Sequence, residues 1–338
     1  MIAPFREFAL GISSCCILAA AYPGLCAAQE AGQTLVLEAK IGLKHVTGRI
    51  DHLAIDLARR RLFIAELGNN TVDVIDLGTQ QPIHRISGLK EPQGVAYLAA
   101  EDTLVVANAK DGSVAFFGGA NFAPIGKLDL GSDADNIRVM PKAGRIMVGY
   151  GSGALAIINP NSRVKTADIR LAAHPESFQL TRDETRAFVN VPDAKHVAAV
   201  DLKTGQQIAA WPVSGLSANF PMAIDGSDAT LAIVFRNPPQ LVLLDTSSGV
   251  VKARHDTCSD SDDVFFDERR NRIYVTCGEG AVDVLEHVGA GVRRLARITT
   301  ASGARTSLFV PELDRLYVAA RAGTLWGEAA LLVYCPEP

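Results

Sequence analysis

The chain has 338 residues, of which 48% are hydrophobic and 21% charged, and its formal net charge is −4. This composition supplies enough apolar side chains for a large core and is unlike that of a disordered chain. The small net charge, with no block of Lys or Arg, excludes the basic footprint of a protein that binds nucleic acid or an anionic membrane surface.

The chain opens with Arg6, an apolar run over 8–21, Pro23-Gly24, and the small residues Cys26-Ala27-Ala28. That order predicts a secretory signal over 1–28, with cleavage after Ala28. The run is shorter than the roughly 20 residues a membrane-crossing helix needs. Leu25 and Pro23 stand where a lipoprotein signal needs a small residue and a Leu-like one. The expected mature chain, 29–338, is therefore periplasmic or secreted and has no membrane span. Cys15, Cys16 and Cys26 leave with the signal, so Cys258, Cys277 and Cys335 remain. In an oxidising compartment, three cysteines imply one disulfide and one leftover thiol.

Beyond the signal comes TLVLEAKIGL from Thr34, a lone strand, and then a repeat. RIDHLAIDLARRRLFIAELGNNTVDVIDL from Arg49 and SDDVFFDERRNRIYVTCGEGAVDVLEH from Ser261 are copies of one unit. Each reads as a short apolar strand, a charged turn, a second strand, a turn rich in Gly or Asn, and a third strand. Taking the residue before the first strand as an anchor gives Asp51, Gln93, Asp135, Glu176, Phe220, Asp262 and Arg305, spaced 42, 42, 41, 44, 42 and 43 residues apart. The second strands read RLFIAE, TLVVAN, RIMVGY, RAFVNV, TLAIVF, RIYVTC and RLYVAA. They are apolar, rich in β-branched residues, and bounded by turn residues that suit tight hairpins. A more polar fourth strand follows in most units, as in PIHRISG from Pro82.

Four antiparallel strands in about 42 residues is the period of a propeller blade. The sequence thus predicts an all-β, seven-bladed β-propeller forming a single domain over 29–338. Unit seven stops after its third strand at Cys335, so the strand from Thr34 is expected to complete that blade and close the ring, leaving no open sheet edge. RLFIAELGNNTVDVIDL and RIYVTCGEGAVDVLE resemble the YVTN repeat of YncE-like bacterial propellers. The resemblance spans most of 34–338 and implies a seven-bladed periplasmic or secreted propeller, with little implied about chemistry.

In such a blade the start of strand one, the end of strand two and the start of strand three share a sheet edge, so the anchors should ring the central opening. Asp51, Asp135, Glu176 and Asp262 bring four carboxylates there, with His52, Gln93, Asn136 and Asp263 beside them and Arg305 as the one cationic anchor. Arg236 and Arg321, at the ends of second strands, are expected to reach the same rim, and His174 is a further candidate. Converging carboxylates repel unless neutralised. Two arrangements are open: each anchor bonds a neighbouring blade's loop, with Arg305 paired to an acid beside it, or Asp135, Asn136, Glu176 and Asp262 hold a hard divalent cation such as Ca²⁺.

Other motifs carry less. GYGSG over 149–153 precedes a strand rather than a helix, so it is a hairpin turn and not a phosphate loop. No CxxCH, CxxC, HExxH or GxSxG occurs, and the two tryptophans, Trp211 and Trp326, are too few for the docking pattern of quinoprotein alcohol dehydrogenases. Cys258 lies four residues before the point where the first strand of unit six should face Cys277, so these two are expected to form a disulfide, with Cys335 the poorer partner. The functional expectation is a non-enzymatic binding or scaffold protein whose upper face takes a protein, peptide or small ligand. The alternative is a metal-dependent hydrolase resembling gluconolactonases in residue type, with a divalent cation at the acidic rim.

Overall fold

The structure is a computed structural model that describes Met1 and residues 33–289, 291–323 and 327–338. The expected signal segment after Met1, with its cleavage point at Ala28, and Trp326 lie outside the described residues. Gln33–Pro338 form one compact unit. Among the described residues no helix is long and apolar enough to cross a membrane.

The unit consists of seven four-stranded antiparallel sheets, each a blade. In blade one the strands are Leu53–Asp56, Arg61–Glu66, Thr71–Asp76 and Gln81–Ser87, in that spatial order. Every side chain of Arg61–Glu66 is buried, whereas the fourth strand is exposed over most of its length. This gradient follows from the architecture: inner strands are covered on both faces by neighbouring blades, and the outermost strand meets water. The hairpin between the second and third strands turns at Asn70, whose φ of 60° is the left-handed conformation that Asn tolerates better than most residues. The other six second strands begin where the sequence places them, and only Thr230–Asn237 runs longer than expected.

Ring closure is as expected. Leu35–Leu43 pairs antiparallel with Ala329–Pro336, from Leu35 opposite Pro336 to Leu43 opposite Ala329, and so becomes the outer strand of blade seven. Among the described residues, seven apolar clusters fill the spaces between adjacent blades. The cluster joining blades seven and one brings Ile41, Leu43, Tyr317 and Leu331 against Leu53, Leu62 and Ile64. A solenoid would leave its two end faces without such a partner.

Blade six comprises Ser261–Asp267, Arg272–Cys277, Ala281–Val288 and Gly291–Thr299. Ser261 stands opposite Cys277, and Cys258 is disulfide-bonded to Cys277 with the Cα atoms 5.8 Å apart, inside the roughly 4.4–6.8 Å a disulfide requires.

Candidate functional site

The first strands of the blades run along the ring axis, so their opening residues meet at one end of it. All seven blades contribute to a single cavity of about 240 Å³ there. Blade one supplies Arg49, blade two Gln93, blade three Asp133 and Asp135, and blade four His174 and Glu176. Phe220 and Arg236 come from blade five, Asp262 from blade six and Arg305 from blade seven. Of the expected rim residues, Gln93, Asp135, Glu176, Asp262 and Arg305 line this mouth, and Arg236 and His174 join them. Arg321 does not: it is exposed and folds back over Gly303.

His52, Asn136 and Asp263 each lie one residue further along their strands and line a second cavity of about 220 Å³, with Arg138, Ser307 and the apolar Leu53, Ile137 and Phe265. The rim expected as one group is therefore two tiers. Blades two and three approach closely between them: a Cβ on Gly94 would stand 2.1 Å from the carbonyl oxygen of Asp135. Only glycine fits there.

Charges at the mouth are segregated by blade. Arg305 Nε lies 2.9 Å from Asp262 Oδ2, and its Nη1 lies 2.9 Å from Asp260. Arg236 donates to Asp262 and, at 2.7 Å, to the Ser261 carbonyl, while its guanidinium stacks 3.8 Å from the Phe220 ring centroid. Arg49 Nη2 lies 2.8 Å from Asp51, itself 2% exposed. The acids of blades three and four have less cover. His174 Nδ1 donates to the Gly151 carbonyl oxygen, 2.6 Å away, and the ring sits 3.5 Å from Asp133 and 3.9 Å from Asp135. His52 Nε2 lies 3.7 Å from Asp51 and 3.8 Å from Asp135 Oδ1, both too long for hydrogen bonds. Among the described residues, Asp135 Oδ1 accepts no hydrogen bond although it is buried, and none is made by the Glu176 side chain.

Ionisation follows this layout. Burial, reinforced by the nearby Asp135, pushes Glu176 up to about 7. Burial likewise raises Asp263 to about 7 against the opposing pull of His52. For His174, burial works against the charged form, but Asp135, the Gly151 carbonyl and Asp133 outweigh it and hold the imidazole at about 9. His52 is raised in the same way: burial is outweighed by Asp51, Asp263, Asp135 and Asp262. In each cavity an acid raised toward neutrality stands beside a base held charged, Glu176 by His174 and Asp263 by His52, and perturbed groups of this kind are characteristic of functional sites.

Of the four residues expected to bind a cation, Asp135 and Glu176 share the mouth, Asn136 belongs to the second cavity, and Asp262 is engaged by two arginines. Among the described residues no three His, Cys, Asp or Glu side chains converge as metal ligands. Arg49 and Asp133 were not legible as site residues from the anchors alone. Their signal was in the repeat: with His174, they stand two residues before an anchor. At Glu91, Asp133, Ala218 and Asp260, which hold the same position, φ is left-handed, at 55°, 43°, 60° and 57°, so a recurrent turn delivers the chain to the mouth.

No family model matches the chain, and no curated sequence matches it. Solved structures do. A chain of the Kuenenia stuttgartiensis hydrazine synthase superposes with a TM-score of 0.72 at 16% identity, covering 82% of this chain and 94% of that one. A chain of the mitotic checkpoint complex superposes with a TM-score of 0.77 at 12% identity, covering 97% of this chain and 100% of that one. At such identities the likeness is one of fold, that of the seven-bladed propeller.

Proposed function

We propose that this protein is an exported binding protein of the YVTN-repeat propeller type, and that it holds a small polar ligand in the cavity at the centre of its ring. One observation carries the reading: all seven blades converge on a cavity lined almost wholly by charged and polar side chains, on a framework whose blades are locked together by apolar clusters. A rigid scaffold presenting converging polar groups is what ligand recognition needs. The volume, about 240 Å³, is below the roughly 300–1,000 Å³ of sites for drug-sized ligands, so the ligand is small. The disulfide supports export, since such bonds persist in oxidising compartments.

A screen of small charged and polar metabolites by thermal shift tests this. Compounds that stabilise the wild type should lose their effect in an Arg236→Ala/Arg305→Ala variant and keep it in Arg182→Ala, which alters a cavity elsewhere. Stabilisation unchanged in the double variant would overturn the site.

The second reading is a hydrolase using a divalent cation at Asp135, Asn136, Glu176 and Asp262. Its support is Glu176, whose value of about 7 suits a general base near neutral pH. Added Ca²⁺ or Mg²⁺ would then raise the melting temperature, and a chelator would lower it.

A further inference from the structure

We propose that the acidic half of the central cavity, at Asp135 and Glu176, binds the primary ammonium group of a small organic amine. The proposal rests on reading this cavity as a ligand site and names the class of ligand.

The three arginines of the cavity have carboxylate partners on their own side: Arg49 with Asp51, Arg236 with Asp262, and Arg305 with Asp260 and Asp262. Opposite them, on blades three and four, the three acids Asp133, Asp135 and Glu176 have two nearby bases, His174 and, 3.8 Å from Asp135, His52 of blade one. Negative charge is thus in excess on one side only. Independently of that excess, Asp135 presents a side chain 8% exposed whose Oδ1 has no hydrogen-bond donor and which lines the cavity. A buried acceptor without a donor is costly unless a ligand supplies one.

An ammonium group supplies three N–H donors and a positive charge. The acceptor-bearing side chains lining this side are Asp133, Asp135, Glu176 and Gln93, and charge-assisted hydrogen bonds to carboxylates are the stronger kind. A metal ion fits less well, because among the described residues no three ligating side chains of the His, Cys, Asp or Glu type converge. An anion fits worse, because each arginine it would need already faces a carboxylate.

The test uses n-butylamine as probe, with n-butyrate and CaCl₂ as controls at matched ionic strength, read by calorimetry and melting temperature. Butylamine should bind and stabilise, while butyrate does neither. Asp135→Asn and Glu176→Gln, which keep side-chain shape, should each weaken the amine at least tenfold, and Arg182→Ala should not. Should Asp135→Asn fail to fold, Glu176→Gln carries the test. Butyrate binding as tightly as the amine, or Ca²⁺ stabilising the wild type but not Asp135→Asn, would overturn the amine while leaving a ligand site in place. Failure of every probe, with no compound emerging from the wider screen, would overturn both readings together.

Discussion

Blades one and six carry the closest pair of repeats, and they differ at one instructive position. Both bury an aspartate of the third strand beneath an arginine of the fourth: Asp73 bonds Arg85 in blade one, and Asp283 bonds Arg297 at 2.7 and 2.9 Å in blade six. Both aspartates are at most 1% exposed. At the end of the second strand, blade six places Cys277 and staples it to Cys258, whose N–H also donates to Asp283 at 2.8 Å. Blade one places Glu66 there, fully buried beside Asp73, with Thr71 as hydrogen-bond partner and one carboxylate oxygen unpaired. Burial, offset in part by Thr71, leaves Glu66 at about 8. One framework therefore holds a covalent clasp in one copy and a carboxyl kept protonated at neutral pH in the other. Identical strands leave the use of an edge position free to diverge.

The comparison can be broken most severely through the strand that lies between the two blades in the ring. Deleting residues 33–46 removes Leu35 from the cluster of blades six and seven, and Ile41 and Leu43 from that of blades seven and one. It also exposes the edge of Ala329–Pro336. The truncated protein should lose cooperative thermal unfolding and aggregate, as calorimetry and light scattering would report.

Next in size is the clasp itself. Replacing Cys258 and Cys277 together by serine frees a loop of 19 residues, for which chain entropy predicts a loss of about 3 kcal/mol, measurable as a lower urea midpoint. Blade one has no counterpart to lose.

The shared Asp–Arg pairs should respond unequally. Asp283→Ala takes two acceptor oxygens from Arg297, which keeps Glu279, and leaves the buried Cys258 N–H without its acceptor, and about 2–3 kcal/mol is expected. Asp73→Ala affects Arg85, which keeps the Lys44 carbonyl, and strands no backbone N–H comparable to that of Cys258, so about 1–2 kcal/mol is expected. Equal losses would deny that the clasp and the pair are coupled in blade six.

The most specific effect is a pH dependence. Glu66 is raised from 4.5 to about 8 in the folded chain, so between those values the native state holds a proton the unfolded chain has released. Its contribution to stability is full below about 4.5 and is lost as pH rises through about 8. Glu66→Gln should flatten the fall in urea midpoint between pH 5 and 8 relative to wild type. An unchanged slope would place the titration elsewhere, at Glu176 or Asp263.

Much of this was legible along the chain. Strand boundaries such as Arg61–Glu66 and Arg272–Cys277 follow from apolar runs between turn residues, a local signal. The Cys258–Cys277 bond follows from two adjacent strands. What was not legible depends on residues far apart in sequence. Arg321 occupies the same strand end as Arg236 yet lies over Gly303 rather than at the mouth. Asn136, assigned with Asp135 to one ligand set, faces a different cavity one residue along the strand. Glu66 ends an apolar strand like any surface acid, and nothing near it in sequence signals that the neighbouring blade buries it.

Seven repeats, their strands, the turn chemistry and an unpaired strand at each end of the repeat array were determined by the amino-acid sequence, because hairpins are made by neighbours and their pattern is written within each unit of about 42 residues. Which charges meet at the axis, which carboxylates are neutralised by arginine and which are not was decided only by tertiary structure. Apart from Arg49 with Asp51, those pairings join residues from different blades, and their strength depends on burial and on distances of a few ångströms that exist only once the ring has closed.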